Sequence, residues 1–422
     1  MQYLFDLSLA SGSYYAPARR AYGMGRVTLG LADALHRRGG NKIGFTSYEF
    51  NAEARGMLEA RYPHLVPLCV ERPPAALERG MMRLVQGCAR PEGGYAGWSK
   101  SFYSKTCRLL WRSYNDGWRT PRRSEGRKKL RNAKLMHGDY LFEIDRHVTT
   151  QRLLMMVNDI IPIRENQPVM GMRCRARLKQ LTDKGAFFIT GSQFAADDLR
   201  EEIPSAADRI FWFQDGLDPA FRPCGNPELI AAWRQKMGLK KEEYYFAAQT
   251  GVHRRKNLAM AVRAVHRLRE ETGTPFKLLL AGYSLGIREM LEKEAAIPAG
   301  WQHFTIFTGA LDDEDFAPVY AGAIALIFLS RLEGFGYAPL EAMACGLPAV
   351  ASNRTSIPEV IGDSGPVFDP DDLDGVCGEM LRLWQDADYR AKRVEASLRQ
   401  AAHFTWDRAA ERVWHTWQSI TN

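Results

Sequence analysis

Residues Phe328–Pro348 read FLSRLEGFGYAPLEAMACGLP and predict a strand end, a glycine-rich turn and a helix. The apolar run Ala323–Leu329 predicts a buried strand leading into this stretch. Gly334 and Gly336 carry no Cβ, so the turn between them can approach a ligand closely. Beyond the turn, apolar residues fall at helical spacing until Gly346-Leu347-Pro348 ends the helix. Such strand–turn–helix units are typical of open α/β sheets, which bind ligands at these turns.

Two carboxylates bracket this turn, Glu333 before it and Glu341 after it. Their oxygens suit hydrogen bonds from sugar or ribose hydroxyls, and N–H groups at the helix start would face an anion. Taken singly, each glutamate fits a solvated loop or helix position more simply. The pair, eight positions apart across Gly-Phe-Gly, resembles the signature of family 4 of the retaining glycosyltransferases.

This resemblance implies a fold, a donor and a set of site residues. The fold class is α/β in the GT-B architecture, with two Rossmann-like domains whose parallel sheets face a central cleft. A nucleotide-sugar would bind in that cleft along Gly334, Phe335 and Gly336. Glu341 would hold the ribose, and Glu333 would contact hydroxyls of the transferred sugar. Enzymes of this kind need no essential metal, so no cofactor is expected.

Length and composition agree with a globular protein of two domains. The chain has 422 residues, of which 45% are apolar and 25% charged. No apolar run approaches the roughly 20 residues of a membrane helix. The N-terminal residues Met1–Leu7 lack a basic region and predict a first strand, not a signal peptide. Seven cysteines show no C-x-x-C pair or zinc spacing, which predicts reduced thiols and a cytoplasmic protein.

The resemblance also predicts the domain organisation. Residues 1–218 would form the acceptor-binding domain, with a basic insertion at about 70–135. Residues 219–400 would form the nucleotide-sugar-binding domain, and 401–422 a helix crossing back to the first domain. The turn Asp215–Phe221 is similar to the family's exit from the first domain, and prolines follow it as a plausible linker.

Positive charge is concentrated in the first half of the chain. Residues 1–214 hold 34 Lys+Arg and 21 Asp+Glu, and Lys100–Lys134 holds twelve basic and two acidic residues. Aromatic residues are interleaved from Trp98 onward. Single-stranded nucleic acid, an anionic membrane surface and a solvated insertion are three candidate interpretations of residues 98–134. The resemblance favours peripheral binding at the inner face of the cytoplasmic membrane over nucleic acid, because acceptors of this family are often lipid-linked.

Two further turns of the first half match the family. Gly23 and Gly25 lie between a strand and a helix, where glycines can cradle phosphate, and the family has such a loop over the donor diphosphate. Asn158 and Asp159 end an apolar strand where many members have His-Asp. Asn158 departs from that pattern, which puts in doubt any role that needs an imidazole. Asp159 stays a catalytic candidate, with a structural role as the alternative.

The second half opens with the predicted strand Tyr244–Ala248 and a basic turn. Gly251, Arg255 and Lys256 match the family element that grips the donor diphosphate. Two cations there would neutralise the charge of a leaving diphosphate. The acidic run Asp369–Asp374 contains an Asp-x-Asp spacing, but a helix-capping turn explains it better than a metal site.

The leading hypothesis is therefore a retaining, metal-independent hexosyltransferase of bacterial surface polysaccharide synthesis. GDP-mannose is the first candidate donor, and the acceptor is lipid-linked or a saccharide. A non-catalytic nucleotide- or sugar-binding protein on the same fold is one alternative, and a nucleic-acid binder using residues 98–134 is another. Walker and His-Glu-x-x-His motifs do not occur, which excludes the corresponding NTPase and zincin classes.

Overall fold

The computed structural model defines the fold over most of the chain. Within the described residues, α-helices alternate with β-strands, and every strand pairing is parallel. No helix in this part of the chain is long and apolar enough to cross a bilayer. The structure describes residues 2–7, 24–46, 62–65, 133–141, 152–240, 245–249, 253–281, 286–294, 296–309, 311 and 313–422.

The chain divides into two compact units. The first consists of Met1–Met156, Gly185–Phe187 and Trp414–Asn422, and the second of Val157–Lys184 and Phe188–Val413. The predicted domain boundary after residue 218 stays a prediction, and the predicted basic insertion lies almost wholly outside the described residues.

The first unit is built on parallel strands in the order β2-β1-β3-β4. Strand β1 is buried along its whole length, which agrees with its largely apolar residues, and β3 is equally buried although it carries His137 and Asp139. The elements are β1 (Tyr3–Asp6), α1 (Met24–Gly39), β2 (Ile43–Thr46), β3 (Leu135–Asp139) and β4 (Arg152–Met156).

Two tryptophans from the last residues of the chain complete the core of this unit. The Trp417 ring stacks on Tyr3 at 4.9 Å between ring centroids, and Trp414 meets Tyr3 edge-on at 5.2 Å. The Trp417 indole Nε1 donates a hydrogen bond to His137 Nδ1 at 3.1 Å. Complete burial lowers the pKa of His137 to about 3, so its ring is neutral and Nδ1 can accept that bond.

The second unit begins with helices around two paired strands, β5 and β6. Asn158 and Asp159 precede the first of these helices. The elements are α2 (Ile161–Arg164), α3 (Pro168–Asp183), β5 (Phe187–Thr190), α4 (Gln193–Glu202), β6 (Ile210–Trp212) and α5 (Pro227–Lys236).

A six-stranded sheet forms the rest of the second unit, in the order β12-β11-β10-β7-β8-β9. The chain starts in the middle at β7, builds outward through β8 and β9, and then returns to place β10 on the other side of β7. The neighbouring strands β7 and β10 are therefore the switch point of a doubly wound sheet, where ligands bind beyond the carboxyl ends of the strands. The strands are β7 (Tyr245–Gln249), β8 (Lys277–Ala281), β9 (Thr305–Phe307), β10 (Leu326–Phe328), β11 (Ala349–Ser352) and β12 (Val367–Phe368).

Helices cover both faces of this sheet with apolar side chains. One face holds a core around Tyr245, Leu326 and Met343, and the other a core around Phe246, Val265 and Met380. These helices are α6 (Leu258–Thr272), α7 (Ile287–Glu292), α8 (Asp313–Ala321), α9 (Tyr337–Ala344), α10 (Ile357–Ile361), α11 (Leu373–Gln385) and α12 (Ala387–Ala401). Helix α13 (Trp406–Thr421) follows them, and its residues from Trp414 onward belong to the first unit.

Candidate functional site

The loops that leave β7 and β10 are joined to each other at the switch point. After β7, Arg254–Lys256 form a single 3-10 turn ahead of α6. The Arg255 carbonyl accepts hydrogen bonds from Arg331 N at 2.8 Å and from Ser330 Oγ at 3.1 Å, both in the loop after β10. The two loops therefore form one surface beyond the carboxyl ends of the central strands.

The basic turn Arg254–Lys256 directly precedes helix α6. Asn257, with φ 52° and ψ 39°, lies between the turn and α6, and its side-chain amide donates to the Pro370 carbonyl at 2.8 Å. Because Asn257 is left-handed, the three basic residues precede the helix instead of occupying its first turn.

Glycine is needed at positions 334 and 336 of the β10 loop for different structural reasons. Gly336, with φ +116°, leads into α9 in a conformation that side chains rarely adopt. A Cβ at Gly334 would lie 2.6 Å from the Asn158 carbonyl oxygen and 2.8 Å from Asp159 Cβ. The missing Cβ of Gly334 therefore makes room for Asn158 and Asp159, and the contact of Gly334 with a donor stays a prediction.

An ion pair links the two loops. Lys256 Nζ lies 2.7 Å from Glu333 Oε1, with side-chain exposures of 19% and 11%. The ammonium group also lies 5.4 Å from the centre of the Phe328 ring. Burying either charge alone would cost several kcal/mol, so each group supplies the countercharge that the other needs.

A second group of charges adjoins this pair. Arg255 Nη1 lies 3.8 Å from Glu165 Oε1, and Arg255 Nε is buried without a hydrogen-bond partner among the described residues. Asp159 Oδ1 accepts a hydrogen bond from Ile161 N at 3.0 Å. Burial raises the pKa of Asp159 and nearby Glu333 adds to the rise, whereas the Ile161 N–H and Arg255 oppose it. Two cations thus meet three carboxylates from separate parts of the chain.

The N-terminus of α4 is fixed to the same loop. Ser192 Oγ accepts from Ala195 N at 3.1 Å and donates to the Gly334 carbonyl at 2.7 Å. The Glu359 carboxylate, on α10, accepts from Gln193 N at 3.0 Å and Phe194 N at 2.6 Å. Ser192 therefore caps α4 and also holds the glycine-rich loop.

A family comparison identifies the domain that carries these loops. Residues 242–386 match the family model described as glycosyl transferases group 1. We call residues 242–386 the transferase domain, after the family that they match. The domain includes the basic turn, the β10 loop and α9, so the family resemblance predicted from the sequence is confirmed.

Known relatives of the transferase domain include mannosyltransferases. O-antigen chain mannosyltransferase B of Escherichia coli is 32% identical over 232 residues, which are 54% of this chain and 60% of that protein. Serotype-specific mannosyltransferase WbdA of Escherichia coli is 29% identical over 285 residues, which are 65% of this chain and 34% of that protein. The matched part of this chain thus spans less than two thirds of either relative.

Solved structures extend the likeness to the whole chain. Anabaena HepE, in complex with UDP and glucose, superimposes with a TM-score of 0.62 at 15% identity, covering 99% of this chain and 100% of that one. WaaG, a glycosyltransferase involved in lipopolysaccharide biosynthesis, gives a TM-score of 0.58 at 14% identity, covering 97% and 98%. Similarity at these identities shows the fold, and the predicted α/β GT-B fold class is confirmed.

The remaining predicted site residues of the transferase domain lie in or near the β10 loop. The Phe335 ring is buried against Tyr337, at 4.8 Å between centroids, and against Phe404. Any contact of Phe335 with a donor would therefore be made by its backbone. Glu341 lies on α9 and is partly exposed. Gly251 lies outside the described residues.

In the first unit, only one of the two predicted phosphate-loop glycines can be placed. Gly25 is buried in the first turn of α1, whereas Gly23 lies outside the described residues. The structure therefore leaves the predicted Gly-x-Gly phosphate loop as a prediction.

The acidic run of the transferase domain is occupied by structural contacts. Asp371 forms a bidentate ion pair with Arg331, and Asp369 forms an ion pair with Arg354. Asp372 caps α11 by accepting from Gly375 N at 2.9 Å. Among the described residues, no three His, Cys, Asp or Glu side chains are placed to share a metal ion.

Sequence reasoning missed Glu165 and Glu359. Both are single carboxylates without a motif, so no local pattern distinguishes them from solvated side chains. Their contacts with Arg255 and with the start of α4 join segments that are distant in the sequence.

Proposed function

We propose that this chain is a retaining glycosyltransferase that moves a hexose from a nucleotide-diphosphate sugar to a lipid-linked or saccharide acceptor. GDP-mannose is the first candidate donor, because the two Escherichia coli relatives are mannosyltransferases. The reaction would serve bacterial surface polysaccharide synthesis, in the cytoplasm or at the inner face of the cytoplasmic membrane.

The observation that carries this proposal is the meeting of Arg255, Lys256 and Glu333 at the switch point. Two cations beyond the carboxyl ends of central strands suit a diphosphate, which must be neutralised as it leaves. Before donor binding, Glu333 balances the charge of Lys256 at 2.7 Å. The diphosphate would take over that role and leave Glu333 to accept hydrogen bonds from sugar hydroxyls.

The proposed reaction needs no dedicated base. The acceptor hydroxyl attacks the anomeric carbon on the face from which the diphosphate departs, so one C–O bond forms as the other breaks and configuration is retained. A donor phosphate oxygen takes the hydroxyl proton, which agrees with Asn158 standing where many family members have His. Glu341 would hold the ribose. Burial raises the pKa of Asp159, and this carboxyl is the further candidate for contact with the acceptor.

Two substitutions test the donor site. We expect Lys256→Ala and Glu341→Ala each to lower transfer at least about tenfold, because each removes a charge-assisted contact with the donor. The matched controls are Lys392→Ala and Glu395→Ala, which make the same changes on exposed positions of α12. Radiolabelled transfer from GDP-mannose to an acceptor extract measures the effect. Wild-type transfer by both folded site variants would show that the donor site lies elsewhere.

The donor itself is found by ligand-induced stabilisation. A nucleotide-sugar that binds the folded chain raises its melting temperature by mass action, so GDP, UDP, ADP and dTDP sugars can be compared directly. We expect the largest rise with GDP-mannose. Stabilisation by a sugar nucleotide without any transfer or donor hydrolysis would favour the non-catalytic binding protein.

A further inference from the structure

Helix α3 has an exposed apolar patch at its N-terminal end. Val169, Met170 and Met172 leave 61%, 44% and 65% of their surface accessible. They are three of the five large hydrophobic side chains that are exposed in the described part of the chain. Single exposed apolar residues need no explanation, but three within four positions form a surface that suits a partner. We call these three residues the α3 patch.

Another face of α3 packs against the rest of the protein. Gly171, Cys174, Leu178 and Leu181 are buried. A Cβ at Gly171 would lie 2.7 Å from the Pro162 carbonyl oxygen, so the helix rests directly on the backbone of α2. Val169 and Met172 therefore point away from the packed side of the helix, whereas Met170, four positions before buried Cys174, is exposed at the N-terminal end of that side.

The charges beside the patch are positive. Residues 168–182 contain four basic residues and no acidic one. Arg175 pairs with Glu202, and Lys179 pairs with Asp183. Arg173 directly follows Met172, is exposed, and has no ion-pair partner among the residues that the structure describes. An unpaired guanidinium next to apolar side chains complements an anionic lipid surface, where phosphates lie just above the acyl boundary.

The patch also lies close to the candidate donor site along the chain. Glu165, which approaches Arg255 to 3.8 Å, precedes Val169 by four positions. Four residues span at most about 14 Å of chain. A bilayer resting on the patch would therefore hold the transfer site near the level of the lipid headgroups.

We propose that the α3 patch is a membrane-contact surface that binds anionic bilayers. The apolar side chains enter the headgroup boundary, and Arg173 binds lipid phosphate. This inference deepens the proposed function, since it rests on the lipid-linked acceptor proposed there: it names the surface that brings the site to such an acceptor.

Vesicle co-sedimentation of the full chain tests the proposal. We expect wild type to pellet with vesicles of phosphatidylethanolamine and phosphatidylglycerol, and the double variant Val169→Asp with Met172→Asp to bind them at least about tenfold more weakly. Arg173→Gln should weaken binding to these vesicles but not to phosphatidylcholine vesicles. Leu229→Asp is the matched control, because Leu229 is 54% exposed on α5. The predicted basic segment is present in all variants, so differences between them arise from the patch.

Several results would overturn the proposal. These are a wild type that does not pellet, a double variant that pellets like wild type, or a control variant that loses binding equally. A wild-type oligomer that the double variant converts to monomer, with unchanged vesicle binding, would show instead that a second copy covers the patch. Transfer to a water-soluble acceptor is measured on the same samples. If the double variant loses vesicle binding but keeps transfer, the patch acts in membrane binding and not in the reaction. If binding depends on the patch but wild type shows no transfer, the proposed function is wrong and the membrane-contact surface stands.

Discussion

Asp215 is a buried carboxyl whose ionisation the folded chain disfavours. Only 3% of its surface is accessible, and burial raises its pKa to about 7, although the nearby Tyr337 hydroxyl opposes the rise. A Cβ at Gly191 would lie 2.3 Å from Asp215 Oδ2, so the carboxyl is enclosed closely. Since Tyr337 opens α9, the protonation of Asp215 is coupled to the start of the helix that carries Glu341.

The stability of the fold should therefore depend on pH through Asp215. Its folded-state pKa of about 7 exceeds the ordinary value of 3.8, so the stabilisation is fully present below about pH 4 and is lost as the pH rises towards 7. The loss is on the order of 4 kcal/mol at pH 8. The side chain of Asp215→Asn cannot ionise. The free energy of unfolding of this variant should therefore rise relative to that of wild type as the pH increases from 4 to 8.

Urea unfolding over that pH range measures the difference. Asp208→Asn is the matched control, because Asp208 is exposed in the turn Pro204–Arg209. The interpretation fails if the free energies of unfolding of Asp215→Asn and Asp208→Asn change with pH in the same way as that of wild type.

Individual site residues could be predicted only where a motif carried them. Arg255, Lys256 and Glu333 follow strands in a recognisable pattern, and the structure brings them together. The sequence singled out Gly334 as a position where a ligand could approach. In the structure, its missing Cβ makes room for the Asn158 backbone. Nothing in a local pattern specifies a contact between residues so far apart, because it depends on how two folded segments meet.

At the level of elements, α4 is bound to the β10 loop by its N-terminal groups. Ser192 caps the helix and donates to the Gly334 carbonyl across 142 positions of sequence. Glu359 satisfies two further N–H groups at the same end, where the helix dipole favours a carboxylate. The position of the glycine-rich loop thus depends on a cap in another element.

Ser192→Ala should therefore affect both stability and transfer. Loss of a cap costs about 1 kcal/mol, and loss of the bond to Gly334 should lower kcat/KM several-fold because the loop is no longer held. Asn226→Ala is the matched control, since Asn226 caps α5 by accepting from Glu228 N and Leu229 N. Equal changes in transfer for the two variants would mean that the Ser192 bond does not position the loop, and Ser192→Thr should restore transfer if it does.

The strands and helices of the transferase domain were predictable because their signals are local. The run Tyr244–Ala248 predicted a strand, and the structure has one at Tyr245–Gln249. Glycine and proline stops marked the end of α9 in the same way. The left-handed conformation of Asn257, between the basic turn and α6, was not predicted, because Asn tolerates that conformation without leaving a sequence signal as strong as glycine.

At the scale of the whole molecule, transfer should not require a divalent metal. Arg255 and Lys256 can neutralise the leaving diphosphate, and the acidic run of the transferase domain is occupied by Arg331 and Arg354. We expect transfer to persist in excess EDTA, measured with the radiolabelled donor. A loss of transfer on chelation that manganese or magnesium reverses would contradict this expectation.

The first unit joins residues from opposite ends of the chain, which matters during synthesis. Tyr3 leaves the ribosome about 400 residues before Trp414 and Trp417, which cover it. At about 5–20 residues per second this interval lasts roughly 20–80 s. For that time the apolar face of β1 and β3 lacks its aromatic cover, so nascent chains should depend on chaperones until translation reaches the last helix.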